Sequence, residues 1–250
     1  MQKAEIKRIG DYLKDLEEGL YVGEKMTEKQ KVQFRKKWKG WLEKIGNDLG
    51  WLLTSRDIFE RVRNIVDSNK RIQSPDLFHR WIIDNYVARV AIGIGRLNDH
   101  DSRTISLHRL IKDISENREA ITRDYFVSRY DKWLQDKGLA DHDFDNFAEK
   151  NDKLISLDRL NDDIDLLDKE TRLVKDFRNR WIAHFDLNRE VERVPTFEDV
   201  DKSLQVIDCI FCKYYLLVDG GGMNTRKPVI QYDWEEPLRY AWIEVDEQKQ

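Results

Sequence analysis

Apolar residues recur at every third or fourth position along most of this chain, a spacing that is typical of amphipathic α-helices. A first helix is predicted over residues 3 to about 20, and a long second helix over about 27–69, with possible breaks at Gly46 or Gly50. Residues 77 to about 97 are apolar nearly all round, which predicts a helix in the centre of the fold.

The helical pattern continues after this central segment, with interruptions. In order, the predicted elements are a turn at 98–104, a helix beginning in SLHRLI (106–111), an element at about 119–137, a connection at 139–146, a very long helix at about 144–187 and a last helix at about 196–218. Residues 220–250 open with three glycines and then alternate partially around two prolines, which predicts a short strand pair or an extended tail.

These elements predict an all-α protein: an antiparallel helical bundle with long helices over residues 1–219, and a small irregular or short β C-terminal appendage over 220–250. The composition agrees, because 37% of the residues are charged and only 4 of 250 are proline. None of the prolines lies between Pro75 and Pro195, so little interrupts the helices in the middle of the chain.

Net charge, apolar segments and cysteine content limit the classes of protein to which this chain can belong. A net charge of −4 argues against permanent attachment to nucleic acid through bulk charge. The N-terminus has no apolar secretory segment, and the most apolar stretch, 204–218, is too short and too charged for a membrane helix. Cys209 and Cys212 favour core packing over a zinc site, because no second pair or nearby histidine completes a ligand set. These features predict a cytoplasmic protein.

The stretch KVQFRKKWKGW (31–41) combines five basic residues with three aromatic ones. Such a strip could contact phosphates and stack on bases. The interpretation we favour is a solvated basic helix face whose aromatic residues, Phe34, Trp38 and Trp41, turn inward at helical spacing.

The stretch DFRNRWIAHFD (176–186) places an arginine, an asparagine and a histidine among apolar residues. On an ideal helix of about 100° per residue, Arg178 falls inside the apolar stripe and His184 lies at its edge. That stripe is made of Leu160, Ile164, Leu167, Val174, Trp181 and Phe185. A guanidinium on a core-facing side is costly unless it has a partner or a purpose.

Two interpretations of this stretch remain open. In the structural one, a buried carboxylate pairs with Arg178, and His184 is an ordinary hydrogen-bonded residue. In the chemical one, the histidine moves protons and the arginine holds a phosphate. RNA carries its own nucleophile, the 2′-hydroxyl, so a protein with these two groups can cleave it without a metal ion.

The stretch RNRWIAH resembles the signature of the HEPN superfamily, in which an arginine and a polar residue precede a histidine four to six residues beyond the arginine. Residues 78–111 look like the AbiU-type branch, associated with abortive infection and phage defence. The matching features are the spacing of Trp81 and Tyr86, then RLND, then TISLHRLI. The resemblance covers about residues 5–215. The chain departs from its relatives at Gly95, before Arg96, where two basic residues are common.

The resemblance implies a HEPN-like all-α fold and a homodimer in which the two motifs form a composite site. A shared groove or a distorted helix end would then gather Arg178 and His184, which point about 120° apart on an ideal helix. The implied activity is that of a metal-independent endoribonuclease of a toxin–antitoxin or abortive-infection system, with RNA as substrate, no cofactor and a cognate antitoxin protein as a further partner. The alternatives are an inactive module that binds RNA, a nucleotide or a protein, and a scaffold in phage defence.

The resemblance also implies roles for the motif. His184 would be the general acid or base, Arg178 would hold the scissile phosphate, and Asn179 would orient the substrate or Arg178. The products would carry 2′,3′-cyclic phosphate and 5′-hydroxyl ends. Further candidates for substrate binding are Arg180, Arg96, Tyr86 and Asp186.

Two segments, NDHD (98–101) and DHDFD (141–145), contain residues that can bind metals. Both fall where turns are expected, and Asp, Asn and His are ordinary turn residues. Neither has the spacing of a calcium loop or of a helical zinc motif. The sequence therefore predicts no metal site.

Overall fold

The computed structural model describes residues 26–73, 77–183, 187 and 192–240. Within these residues the chain is all-α, as predicted, and contains no strand. Its α-helices are α1 (Glu28–Ser68), α2 (Leu77–Leu97), α3 (Leu107–Glu116), α4 (Arg123–Ser128), α5 (Lys132–Asp136), α6 (Leu139–Phe144), α7 (Leu157–Phe177) and α8 (Phe197–Asp219). The helix predicted over residues 3–20 lies outside the described residues.

The long helix α1 begins and ends within a residue of its prediction. Thr27 forms a capping box with Gln30, which satisfies backbone N–H groups at the helix start. Neither of the two glycines at which a break was expected interrupts it. At Gly46, α8 instead packs closely against the helix. A Cβ at this position would lie 2.7 Å from the ring of Phe211.

The core of the bundle is formed by α1, α2, α7 and α8, which pack against one another. The second half of α2 is the most enclosed part of that helix, which confirms the prediction that this apolar segment lies centrally. The inward aromatic face of residues 31–41 is confirmed too, since Trp38 is fully buried and both Phe34 and Trp41 pack against the core. Of the two cysteines, only Cys212 is buried, and Cys209 is exposed, so the core-packing prediction holds for one of them.

Residues 117–156 differ from the prediction. The single element expected at 119–137 is a short 3₁₀ turn followed by α4 and α5, and the expected connection at 139–146 contains α6. A buried arginine holds these short pieces together. Arg123 donates to the carbonyl oxygens of Asp141, Glu149 and Asp152 and to the carboxylate of Asp145.

The long helix predicted from residue 144 begins only at Leu157, after Ser156 caps its first turn. Its α-helical part ends at Phe177, and a π-helical segment, Arg178–Ala183, continues it. This segment contains the first part of the arginine–histidine motif.

Beyond α8 the described chain is extended, with one 3₁₀ turn at Glu236–Arg239. It lies along α1. Arg226 donates to the carbonyl oxygen of Gly46 at 3.1 Å, and Lys227 pairs with Asp57 at 2.6 Å. Of the two forms predicted for residues 220–250, the described part therefore takes the extended one. No helix in the described residues is long and apolar enough to cross a membrane.

Candidate active site

The helix that carries the motif changes its winding at Arg178. Residues 178–183 form a π-helix, in which hydrogen bonds run from i to i+5. Such segments are rare in proteins, and where they occur they often lie at functional sites. The change explains one wrong prediction: Trp181 was placed in the buried apolar stripe, but it is 46% exposed, because the stripe follows α-helical spacing only as far as Phe177.

The side chain of Arg178 lies over a glycine of α2. A Cβ on Gly95 would stand 2.0 Å from Nη1 of Arg178 and 2.5 Å from its Cζ, so any larger residue would exclude the guanidinium. On its other edge the guanidinium donates from Nε and Nη2 to Oδ1 of Asn179, at 3.0 and 2.6 Å. The arginine is thus held between a backbone and a neighbouring amide.

Arg178 forms no ion pair with a carboxylate among residues 26–73, 77–183 and 192–240. The buried carboxylate that the structural interpretation of Arg178 requires is therefore missing from this part of the chain. Asn179 is a neutral acceptor, so it orients the guanidinium without cancelling its charge. A positioned cation of this kind is suited to binding a phosphate.

A second cation lies one helical turn earlier, at Lys175. Its side chain is largely buried, and burial lowers the pKa of its ammonium group. Asp168 raises that pKa and the charge of Arg178 lowers it. Lys175 and Arg178 therefore form a short positive strip on the motif helix.

A polar cluster adjoins this strip at the end of α2. Asn98 is fully buried and donates to Oδ1 of Asp168 at 2.8 Å and to Oγ1 of Thr171 at 2.7 Å. Nε2 of His100 lies 2.8 Å from the same Asp168 oxygen, and Nζ of Lys175 lies 3.3 Å from that ring nitrogen. Residues from the turn after α2 and from α7 therefore meet here.

His108 completes the cluster from α3. Its ring stacks on that of His100, with centroids 3.8 Å apart, and its Nδ1 is buried with no hydrogen-bond partner in the part of the chain that the structure describes. Burial lowers the pKa of His108 to about 4, and the charge of His100 acts in the same direction. The ring is therefore neutral near pH 7.

The segment 98–101 behaves partly as predicted. Asp99 and Asp101 are turn residues, since each accepts a hydrogen bond from the backbone N–H two positions later. His100, between them, instead joins Asp168 and His108, which are distant in sequence. Local spacing gave no signal for this cluster.

The other predicted site residues are distributed differently. Arg96 is exposed and pairs with Asp48 on α1. Tyr86 is buried, with its ring stacked 3.9 Å from that of Phe59 and its hydroxyl without a hydrogen-bond partner among the described residues. Arg180 lies half-buried in the π-helical segment. His184 and Asp186 lie outside the described residues.

An apolar cavity of about 340 Å³ lies between Tyr86 and the motif helix. Tyr86 and Val90 of α2 form one side of it, and Val174 and Phe177, directly before Arg178, form another. Tyr86 therefore shares a cavity with the motif helix, although its buried ring contributes to the core.

The comparisons with known proteins bear on this site. The family model HEPN_AbiU2, described as AbiU2, matches residues 35–239. This range is most of the chain and includes the motif helix. No curated protein and no solved structure matches the chain.

Proposed function

Because the chain belongs to the AbiU2 family of HEPN proteins, we propose that it is a metal-independent endoribonuclease of an abortive-infection or toxin–antitoxin system. The observation that carries the proposal is the arrangement of Arg178. Its guanidinium is positioned by Asn179 and by the space at Gly95, and no carboxylate in the described residues neutralises it.

Such a cation stabilises negative charge that develops on a phosphate. In RNA cleavage the 2′-oxygen attacks the adjacent phosphorus, and charge accumulates on the non-bridging oxygens. Arg178 binds these oxygens through Nη1, which donates to no acceptor among the described residues, and Lys175, one turn away, adds positive charge beside it.

The motif histidine supplies the proton transfers. His184 removes the proton of the 2′-hydroxyl, or protonates the 5′-oxygen as the phosphorus–oxygen bond breaks. The products are a 2′,3′-cyclic phosphate and a 5′-hydroxyl. No metal-bound water is required, because the nucleophile belongs to the substrate.

A homodimer would supply two such histidines to one groove. The motif helix has an apolar surface suited to this role, since Trp181 stacks on Phe177 at 6.3 Å between centroids. Leu187, four residues beyond the end of this helix, is fully exposed. A two-fold axis close to this surface would bring both motifs together. A cognate antitoxin protein as a further partner stays a prediction.

The role of Arg178 is tested by cleavage of single-stranded RNA in excess EDTA. Arg178→Met should fold and dimerise normally, because no carboxylate among the described residues pairs with the arginine, and should lose activity. Arg172→Met is the matched control, since Arg172 lies on the same helix and pairs at the surface with Glu192. It should keep the wild-type rate. Unfolding of Arg178→Met, or full activity of it, would contradict the proposal.

An inactive wild-type protein that still binds RNA would support the alternative function, a binding module. In that case Arg178→Met should weaken RNA binding while Arg172→Met leaves it unchanged.

A further inference from the structure

Three polar atoms, one each from His100, Asp168 and Lys175, lie in a triangle beside the motif helix. Hydrogen bonds among these three atoms do not satisfy all of them at once. Nε2 of His100 lies 2.8 Å from Oδ1 of Asp168 and 3.3 Å from Nζ of Lys175, and the ammonium is 3.8 Å from the carboxylate oxygen. If Nε2 of His100 carries a hydrogen, it donates to Asp168 but also lies beside the N–H groups of the Lys175 ammonium. If Nε2 carries no hydrogen, its lone pair accepts from Lys175 but also lies beside the negatively charged carboxylate of Asp168.

A metal cation in place of the ammonium removes this conflict. It accepts the lone pairs of the imidazole nitrogen and of the carboxylate oxygen together, and it carries more charge than Lys175. The ammonium at the end of a flexible side chain can withdraw towards solvent.

His108 supplies a third donor. It has a ring nitrogen within 4.8 Å of the donor atoms of His100 and Asp168. His108 is 8% exposed, and no described residue forms a hydrogen bond with its buried Nδ1. The three donors come from the turn after α2, from α3 and from α7, so the packed fold itself brings them within reach of one ion. The rings of His100 and His108 are stacked, with 13° between their planes, so one ring must turn about its side-chain bonds to direct its lone pair at a shared ion.

The carboxylate of the cluster is held in place by further residues. Asn98, which is fully buried, donates to Asp168 and to Thr171, and Thr171 in turn donates to the carbonyl oxygen of Leu167. Such outer hydrogen bonds orient metal ligands and are a regular feature of built metal sites.

We propose that His100, His108 and Asp168 bind a divalent transition-metal ion of the zinc class, which displaces the ammonium of Lys175. Two imidazoles and one carboxylate are a donor set that zinc accepts, with a fourth position left for water. Hard cations such as magnesium prefer all-oxygen ligands and fit this set poorly. The site goes beyond the proposed RNA cleavage, in which no metal takes part.

The proposal is tested by metal binding alone. The protein is prepared without a histidine tag and with Cys209→Ser, which removes an exposed thiol that could bind zinc. Zn²⁺ affinity is measured by competition with a chromogenic chelator, and Co²⁺ is added as a spectroscopic probe. One ion should bind per chain, and Co²⁺ should give the intense visible bands of a low-coordinate site.

The variants separate this site from incidental binding. His100→Ala and Asp168→Asn should lower the affinity by at least about 10- to 100-fold, the usual cost of losing even an outer partner. Lys175→Met should raise it, because the competing ammonium is gone. His142→Ala is the matched control, an exposed histidine on α6 that should bind as the parent does.

Two results would overturn the proposal: no stoichiometric binding of Zn²⁺ or Co²⁺, or equal affinities of the parent and His100→Ala. Neither result depends on RNA cleavage, so failure of this site and failure of the proposed function are distinguishable.

Discussion

Gly95 of α2 provides the space in which the guanidinium of Arg178 lies: a Cβ at this glycine would stand 2.0 Å from Nη1 of the arginine. The amide oxygen of Asn179 holds the opposite edge of the same group. The glycine at position 95 therefore admits the motif arginine, which a side chain at this position would displace.

Replacement of this glycine should impair activity more than folding. In Gly95→Ala the arginine must move away from α2, and its flexible side chain makes that movement inexpensive for stability. A displacement of about 1 Å at a reacting group can cost on the order of 100-fold in rate. We expect a loss of that order in RNA cleavage, with helicity and dimerisation retained by circular dichroism and light scattering.

Gly40→Ala is the matched control for this variant. Nothing lies within 4 Å of a Cβ at Gly40, which is also within a long helix. This substitution should stabilise the protein by roughly 0.5–1 kcal/mol and leave the cleavage rate unchanged. Equal activity of both glycine variants would show that the position of Arg178 does not matter for the reaction.

Assembly should depend on the exposed surface of the motif helix. Trp181→Glu places a charge in the proposed dimer interface, so the protein should become monomeric at micromolar concentration and lose activity. Trp133→Glu, at a position on α5 that is 65% exposed, should remain dimeric. Static light scattering over a range of concentrations decides this, and a wild-type protein that is monomeric throughout would rule out a composite site.

The buried histidine makes stability depend on pH. His108 has a pKa of about 4 in the folded protein, against 6.5 as its ordinary value, so below about pH 6.5 the unfolded chain binds a proton that the folded one does not. Stability should therefore fall as the pH drops from 6.5 to 4, by up to about 1.4 kcal/mol per pH unit. Beyond burial, the charges of His100, Lys175 and Lys112 lower this pKa, and Asp168 opposes them.

His108→Gln should remove this part of the pH dependence. Urea unfolding of both proteins at pH 7, 6 and 5, with EDTA present to keep metals out, gives the difference directly. Carboxylates titrate in both proteins and cancel in the comparison. Parallel stability profiles would mean that His108 is protonated in the folded state as readily as in the unfolded one.

The helices that could be predicted from the sequence are those whose ends are specified locally. Thr27, Ser106 and Thr196 each cap a helix with their own side chains, and the neighbouring apolar spacing gives the buried face. The short helices between residues 117 and 156 could not be predicted, because Arg123 holds them together through carbonyl groups far along the chain.

Of the candidate site, only the types of residue could be predicted from the sequence. An arginine inside an apolar stripe signalled an anomaly at Arg178, but the π-helical winding and the space at Gly95 depend on how α7 packs against α2. His100 lies in a segment noted for metal-binding residue types, but nothing in the sequence linked it to His108 and Asp168, because tertiary packing and not spacing brings the three together.

The most direct test of the central claim is cleavage of single-stranded RNA by the purified protein in excess EDTA, with His184→Ala in parallel. The wild-type protein should cleave and leave 2′,3′-cyclic phosphate ends, whereas DNA and RNA methylated at the 2′-oxygen should be inert. His184→Ala should lose about 10²- to 10⁴-fold in rate while it stays folded and dimeric. Cleavage that requires Mg²⁺ or Mn²⁺, or a His184→Ala variant with the full rate, would contradict the account.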